Sequence, residues 1–236
     1  AGYDASYTAL HGGAKAANIL FVKTSFYSDD ILNGLKWMLE QAKEIGRPVV
    51  VNLSLGSSYG PHDGTDLDAK AVDDLVAGSG GKLIVVRSGG NYAADAIHDS
   101  ATVGTDVTAL PVTVAAYTQD SSRYDRLRFN FYYDAASAIS VRLKDSAGNV
   151  SDWMAPSATT YEGTMGDGSG YYLQVGNAAE SYNTNLKRIF VLVGELDSQT
   201  DGKYVRQGSW ELQFKTNSGA TRLDGWLYDA AGGGID

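Results

Sequence analysis

Two segments end in residues able to handle a peptide backbone: Pro48-Val49-Val50-Val51-Asn52-Leu53-Ser54-Leu55-Gly56 and Lys82-Leu83-Ile84-Val85-Val86-Arg87-Ser88-Gly89-Gly90-Asn91. Small residues at a strand end let a peptide approach and pair with the strand edge. An Asn amide at such a tip donates a hydrogen bond to a carbonyl oxygen on which negative charge develops. Gly-Gly-Asn also reads as a plain turn, because both residue types tolerate left-handed conformations. A histidine base would have to be His11, His62 or His98, the three histidines of the chain. His62 lies in a Gly/Pro-rich loop and reads as a loop-ordering residue, and His98 as a structural one bonding backbone near a junction. Asp63, Asp66 and Asp68 lack the glycine and terminal glutamate of a calcium loop, so they read as a solvated helix start with a capping acid.

These residues need elements to position them. Asn18-Ile19-Leu20-Phe21-Val22-Lys23 is an apolar run suited to a buried strand. Ser28 is an expected N-cap, followed by Asp29 and Asp30 where the helix dipole favours negative charge. Ile31, Leu35, Met38, Leu39 and Ala42 follow at helical spacing until Gly46 and Pro48. After the strand Val49 to Leu55, Thr65 and Asp68 have capping-box spacing, and Leu67, Ala71, Val72 and Leu75 form an apolar face before Gly78-Ser79-Gly80-Gly81. The strand Leu83 to Val86 completes a β-α-β-α-β series, which predicts a parallel sheet covered on both faces. Ligands of such sheets bind outside the carboxyl ends of the strands, where Gly56 and Asn91 lie.

From about residue 101 the helical period gives way to short alternating runs: 112–114, 127–132, 139–143, 171–175, 189–193, 210–214 and 224–228. Turn chemistry separates them, as at Asp145-Ser146-Ala147-Gly148-Asn149 and Asn217-Ser218-Gly219. The pattern predicts an antiparallel sandwich of jelly-roll type. Trp153, Tyr161, Tyr171, Tyr172, Trp210 and Trp226 sit mostly at strand positions, where large aromatics fill a core; the rival reading is a sugar-binding platform.

Composition narrows the classes. The chain has 236 residues with 43% hydrophobic and 20% charged, enough for a packed core. A net charge of -9 argues against non-specific binding to nucleic acid or to an anionic membrane. No apolar run reaches bilayer length. Ala1 to Ala5 lacks the basic start and apolar core of a signal peptide, so the reading expects a processed or cut end. The absence of cysteine removes disulfides, thiolate metal sites and a Cys nucleophile.

In their longer context the same residues resemble the subtilisin-like serine proteases. Gly13 to Lys23 is similar to the segment that leads from the family's catalytic histidine helix into the next strand, Val51 to Gly56 to its substrate-binding strand, and Ile84 to Asn91 to the strand carrying its oxyanion-hole asparagine. The three come in the family's order across roughly residues 10 to 98. Tyr59 to Thr65 and Asn91 through His98 resemble bacterial relatives of the Csp germination proteases, in which a jelly roll interrupts the catalytic domain. Leu127 to Leu143 and Gly208 through Leu227 look like strands of that insert.

The resemblance implies a partial subtilisin-like parallel sheet with flanking helices at residues 1–100, an inserted all-β jelly-roll sandwich at 101–230, and a return toward the catalytic domain at 231–236. It implies that Asn91 is the side-chain donor of the oxyanion hole, with Ser54, Leu55 and Gly56 on one wall of the substrate cleft and Ser88, Gly89 and Gly90 on the other. The Asp-Thr/Ser-Gly, His-Gly-Thr-His and Gly-Thr-Ser-Met settings of the family's triad do not occur, and His11 falls after the catalytic helix position. The expectation is therefore a fragment of a secreted or cell-envelope bacterial endopeptidase acting on peptide or protein substrates and inactive by itself. No metal or cofactor is expected; calcium is an open alternative that no pattern indicates, and nothing bears on oligomeric state. The rival is a non-enzymatic pseudoprotease, or a carbohydrate- or protein-binding sandwich module.

Overall fold

The computed structural model describes residues 13–92, 94–196 and 202–229. They divide into two compact units, one falling within Ala1–Ser54 and Asp68–Arg87, the other within Leu55–Leu67 and Ser88–Asp236.

The first unit builds an α/β layer. Helix α1 (Ser28–Ile45) buries Leu35, Leu39 and Ala42 along one stripe, with Asp29 and Asp30 in its first turn. Its cap is Tyr27, with no side-chain bond; Ser28 is already helical, and its hydroxyl donates to Asp68 instead. Gly46 closes the helix at φ 73°, with Arg47 N–H on the Ala42 carbonyl at 3.0 Å and Gly46 N–H on that of Lys43 at 3.1 Å. This Schellman closure requires a left-handed residue, which glycine supplies.

Strand β1 (Val49–Leu53), helix α2 (Leu67–Gly78) and strand β2 (Leu83–Arg87) form a β-α-β unit, the strands pairing in parallel from Val49 opposite Leu83 to Leu53 opposite Arg87. The expected capping box on α2 does not form. Thr65 directs its N–H and hydroxyl to Asp63 Oδ1, at 2.9 and 2.6 Å, because the nearer carboxylate closes a local turn first. Val72 and Leu75 pack on the core, whereas Leu67, at the first helical position, is 65% exposed. At the far end the buried Ser79 donates to the Val76 carbonyl at 2.7 Å and accepts the Leu83 N–H at 3.2 Å, turning the chain into β2.

Two expectations for this unit are corrected. Residues 18–23 form no strand, since they have no ladder partner among the described residues; Ile19 and Phe21 are exposed. The segment alternates in burial all the same, with Leu20, Val22 and Thr24 half-buried, and Val22 lies where a side chain on Gly34 of α1 would meet it at 3.0 Å. Secondly, the sheet is covered on one face. Val51 and Leu83 are buried under Leu35 and Leu39, while Val50, Ile84 and Val86 on the opposite face stay 65%, 53% and 50% exposed.

The second unit is antiparallel throughout its sheets. Its strands are β3 (His98–Val103), β4 (Thr108–Val114), β5 (Arg126–Asp134), β6 (Ile139–Lys144), β7 (Tyr161–Thr164), β8 (Gly170–Val175), β9 (Leu186–Gly194), β10 (Gly208–Thr216) and β11 (Thr221–Asp229). Six form a sheet in the order β3-β11-β5-β9-β8-β7, and three form another in the order β4-β10-β6. Each strand sends alternate side chains inward, so Phe129, Phe131 and Tyr133 of β5 share a core with Val141, Leu143, Leu212 and Phe214. Gly225 of β11 lies under the Phe131 ring, where an added Cβ would come within 2.3 Å. That close approach, rather than any turn, explains a glycine in mid-strand.

Turns are fixed by buried carboxylates. Asp145 is 1% exposed and accepts the N–H of Ala147 at 3.0 Å, of Asn149 at 2.7 Å and of Asp167 at 2.9 Å, besides the Asn149 amide. Burial pushes its pKa up, but the bonds from Asn149, Asp167 and Ala147 outweigh that and hold it below the usual carboxylate range. Of the six aromatics singled out, Trp210 is buried in the core, Tyr161 and Tyr171 pack against it, and Tyr172 meets Phe190 edge-on at 5.9 Å.

Candidate active site

The residues expected to form the cleft follow directly from the ends of β1 and β2. Because these strands are parallel and in register, both chains emerge at the same, carboxyl, edge. Beyond β1, the Ser54 hydroxyl accepts the Asn52 amide at 2.9 Å. Leu55 is half-buried and Gly56 exposed. Beyond β2, the Ser88 hydroxyl donates to the Leu55 carbonyl at 3.3 Å, which ties the two segments together. Gly90 adopts φ 88°, so its glycine is required by the backbone. Asn91 does not share that conformation and lies exposed in a bend. A turn requirement thus accounts for Gly90 and leaves the Asn91 amide unexplained by backbone geometry.

The histidines sit elsewhere. His62 adopts φ 55°, holds its Nε2 3.2 Å from the Ser58 carbonyl oxygen and stacks on Trp226 with ring centroids 4.7 Å apart. His98 stacks on Trp226 at 4.6 Å, and its Nε2 lies 3.4 Å from Asp224 Oδ1. It was expected to bond backbone; its partner is this carboxylate. Hydrogen bonds from Arg222, which also approaches within 2.7 Å, hold the Asp224 pKa below the usual range, with His98 adding to the effect. Among the described residues no serine hydroxyl bonds either histidine. His11 lies outside the described residues. Asp63 and Asp68 spend their carboxylates on Thr65 and Ser28.

Residues 1–194 match the sequence model of the subtilase family. The chain belongs to the subtilase family. Among solved structures it is similar to the CspB protease of Clostridium perfringens, with a TM-score of 0.70 and 19% identity over 85% of this chain and 40% of that one. At that identity the likeness is one of fold, and the chain spans less than half of that subtilase's length. No curated protein matches it.

Sequence reasoning missed the part played by Trp226 and Tyr59 around this subtilase segment. Tyr59 meets Tyr228 edge-on at 5.5 Å and its hydroxyl accepts from Arg188, while Thr65 accepts the Asn183 amide at 2.9 Å. The available signal was alternation in β11: Arg222, Asp224, Trp226 and Tyr228 fall on the face opposite Leu223 and Gly225. A cavity of about 330 Å³ lies elsewhere on the sandwich, lined by Trp153, Tyr161, Tyr171, Asp152 and Thr164 among others. The Trp153 ring already carries the Arg142 guanidinium at 4.6 Å and the Lys215 ammonium at 4.3 Å, which weighs against a free sugar platform.

Proposed function

We propose that this chain is a segment of a subtilisin-like serine endopeptidase, carrying the oxyanion donor and both cleft walls while the catalytic Asp, His and Ser belong to other parts of the parent protein. Asn91 donates to the oxyanion of the tetrahedral intermediate. Ser54, Leu55 and Gly56 pair with substrate on one side, and Ser88, Gly89 and Gly90 line the other. The parent's serine attacks the peptide carbonyl, its histidine takes the proton, and its aspartate orients that histidine. The observation that carries this reading is the exposed Asn91 amide beyond the end of β2, joined to the neighbouring strand end by the Ser88–Leu55 bond, in a chain of the subtilase family.

The sandwich is read as a jelly roll inserted at residues 101–230, after a partial catalytic domain at 1–100 and before a return at 231–236. Supporting it are the neighbour orders β3-β11-β5-β9 and β4-β10-β6, which two interleaved Greek keys generate. The β7–β8 hairpin extends the larger sheet. Membership of the subtilase family favours a secreted or cell-envelope location, and the resemblance to the Csp proteases a bacterial source. The test is covalent labelling by a fluorophosphonate probe. The full-length parent should label and the isolated chain should not. A labelled isolated chain would show that it holds its own nucleophile, and an unlabelled, inactive parent would favour a pseudoprotease.

A further inference from the structure

We propose that Trp226 is a positioning residue that clamps both cleft-bearing loops to the sandwich; the inference rests on the cleft reading above. The two loops leave the candidate site C-terminally from separate strand ends and meet again on one indole. His62 lies six residues beyond Gly56, His98 seven beyond Asn91, and each stacks on Trp226, with interplanar angles of 23° and 28°.

The ground under this stack is rigid. Trp226 belongs to β11, which is bonded on one side to β3 and on the other to β5. His98 stands opposite Trp226 in the β3–β11 register, and the Leu227 N–H donates to the Ile97 carbonyl at 2.8 Å. The loop that follows Gly56 has no ladder of its own. It is held by Tyr59 on Tyr228 and Arg188, by His62 on Trp226, and by Thr65 on Asn183. His62 at φ 55° is a bulky residue in the left-handed region, a conformation kept where surrounding contacts over-determine it. Gly60 and Pro61 beside it are buried.

The consequence is mechanical. An oxyanion donor and a backbone-pairing wall work when held to within about half an ångström, whereas an exposed loop is by default mobile. Trp226 converts two loop segments into extensions of a sheet. Removing the indole frees both at once, which no residue within either loop would do.

The test is hydrogen exchange on the chain carrying Trp226→Ala, followed by kinetics on the full-length protein with the same change. Exchange should rise roughly tenfold or more in residues 55–66 and 94–98 while β9 stays protected. In the full-length protein kcat/KM should fall on the order of 10- to 100-fold, with KM carrying part of the loss. Trp226→Phe should restore most of both. If Trp226→Ala does not fold, His62→Ala and His98→Ala should each loosen their own segment, and His62→Phe and His98→Phe should restore it. Wild-type exchange in both segments, or loosening of one alone in Trp226→Ala, overturns the clamp. A full-length protein without peptidase activity ends the cleft reading separately, since exchange still judges the clamp.

Discussion

In the α/β unit, Leu35, Leu39, Val51 and Leu83 are the buried apolar cluster among the described residues, and Val50, Ile84 and Val86 stand bare on the other face of the sheet. In the sandwich, the corresponding cluster has 22 members, drawn from both sheets. A core of the second kind sustains cooperative folding, while the first leaves an apolar face of the sort that proteins cover. The difference bears on function, because the loop residues that follow Gly56 and Asn91 make their contacts within the strong unit, through Tyr59, His62 and His98.

Substitutions can break this comparison in order of size. Phe214→Ala, at 0% exposure, should cost about 3–5 kcal/mol in chemical denaturation and abolish the main transition's separation from any weaker one. Leu35→Ala should leave the sandwich transition in place, as read by near-ultraviolet circular dichroism of its aromatics. Asp145→Ala should cost roughly 2–4 kcal/mol by orphaning the N–H groups of Ala147, Asn149 and Asp167. Its pKa is depressed in the fold, so its contribution is complete above the unfolded value of about 3.9 and is lost as pH falls through the folded one. Denaturation measured between acid and neutral pH should show this slope, and Asp145→Asn should flatten it.

Smaller effects sharpen the contrast. Asn130 of β5 is fully buried with neither side-chain atom bonded among the described residues, so Asn130→Leu should raise the sandwich's stability by about 1 kcal/mol in the same titration. Val86→Thr, on the exposed face, should change stability by less than about 0.5 kcal/mol while reducing self-association in sedimentation. A large loss there would mean the face is covered.

Much of this was legible in the sequence. Helical spacing identified α1 and α2, and alternation located seven of the sandwich strands, because both periods report which side of an element meets a core. β3 and β7 escaped, since His98-Asp99-Ser100 and Tyr161-Glu162-Gly163-Thr164 are short of apolar residues and pair at the flanks of one sheet. The Thr65 capping box failed through competition, since Asp63 takes its N–H and hydroxyl, and the Ser28 cap failed because the helix starts one residue earlier than expected, with Tyr27 at the cap position. Residues 18–23 carry the apolar content of a strand, but a strand is defined by a partner that spacing does not name. Segment matches are what name Asn91 and the two stretches as a candidate cleft, whereas the His62–Trp226–His98 stack joins residues 164 positions apart and leaves no local pattern.

The central claim is that Asn91 stabilises a transition state in the parent protease. Steady-state peptide hydrolysis by the full-length protein with Asn91→Ala tests it most directly. The account predicts a fall in kcat of about 100- to 1,000-fold, the order found on removing the side-chain donor of subtilisin's oxyanion hole, with KM little changed. A kcat equal to that of the unmodified protein would contradict it.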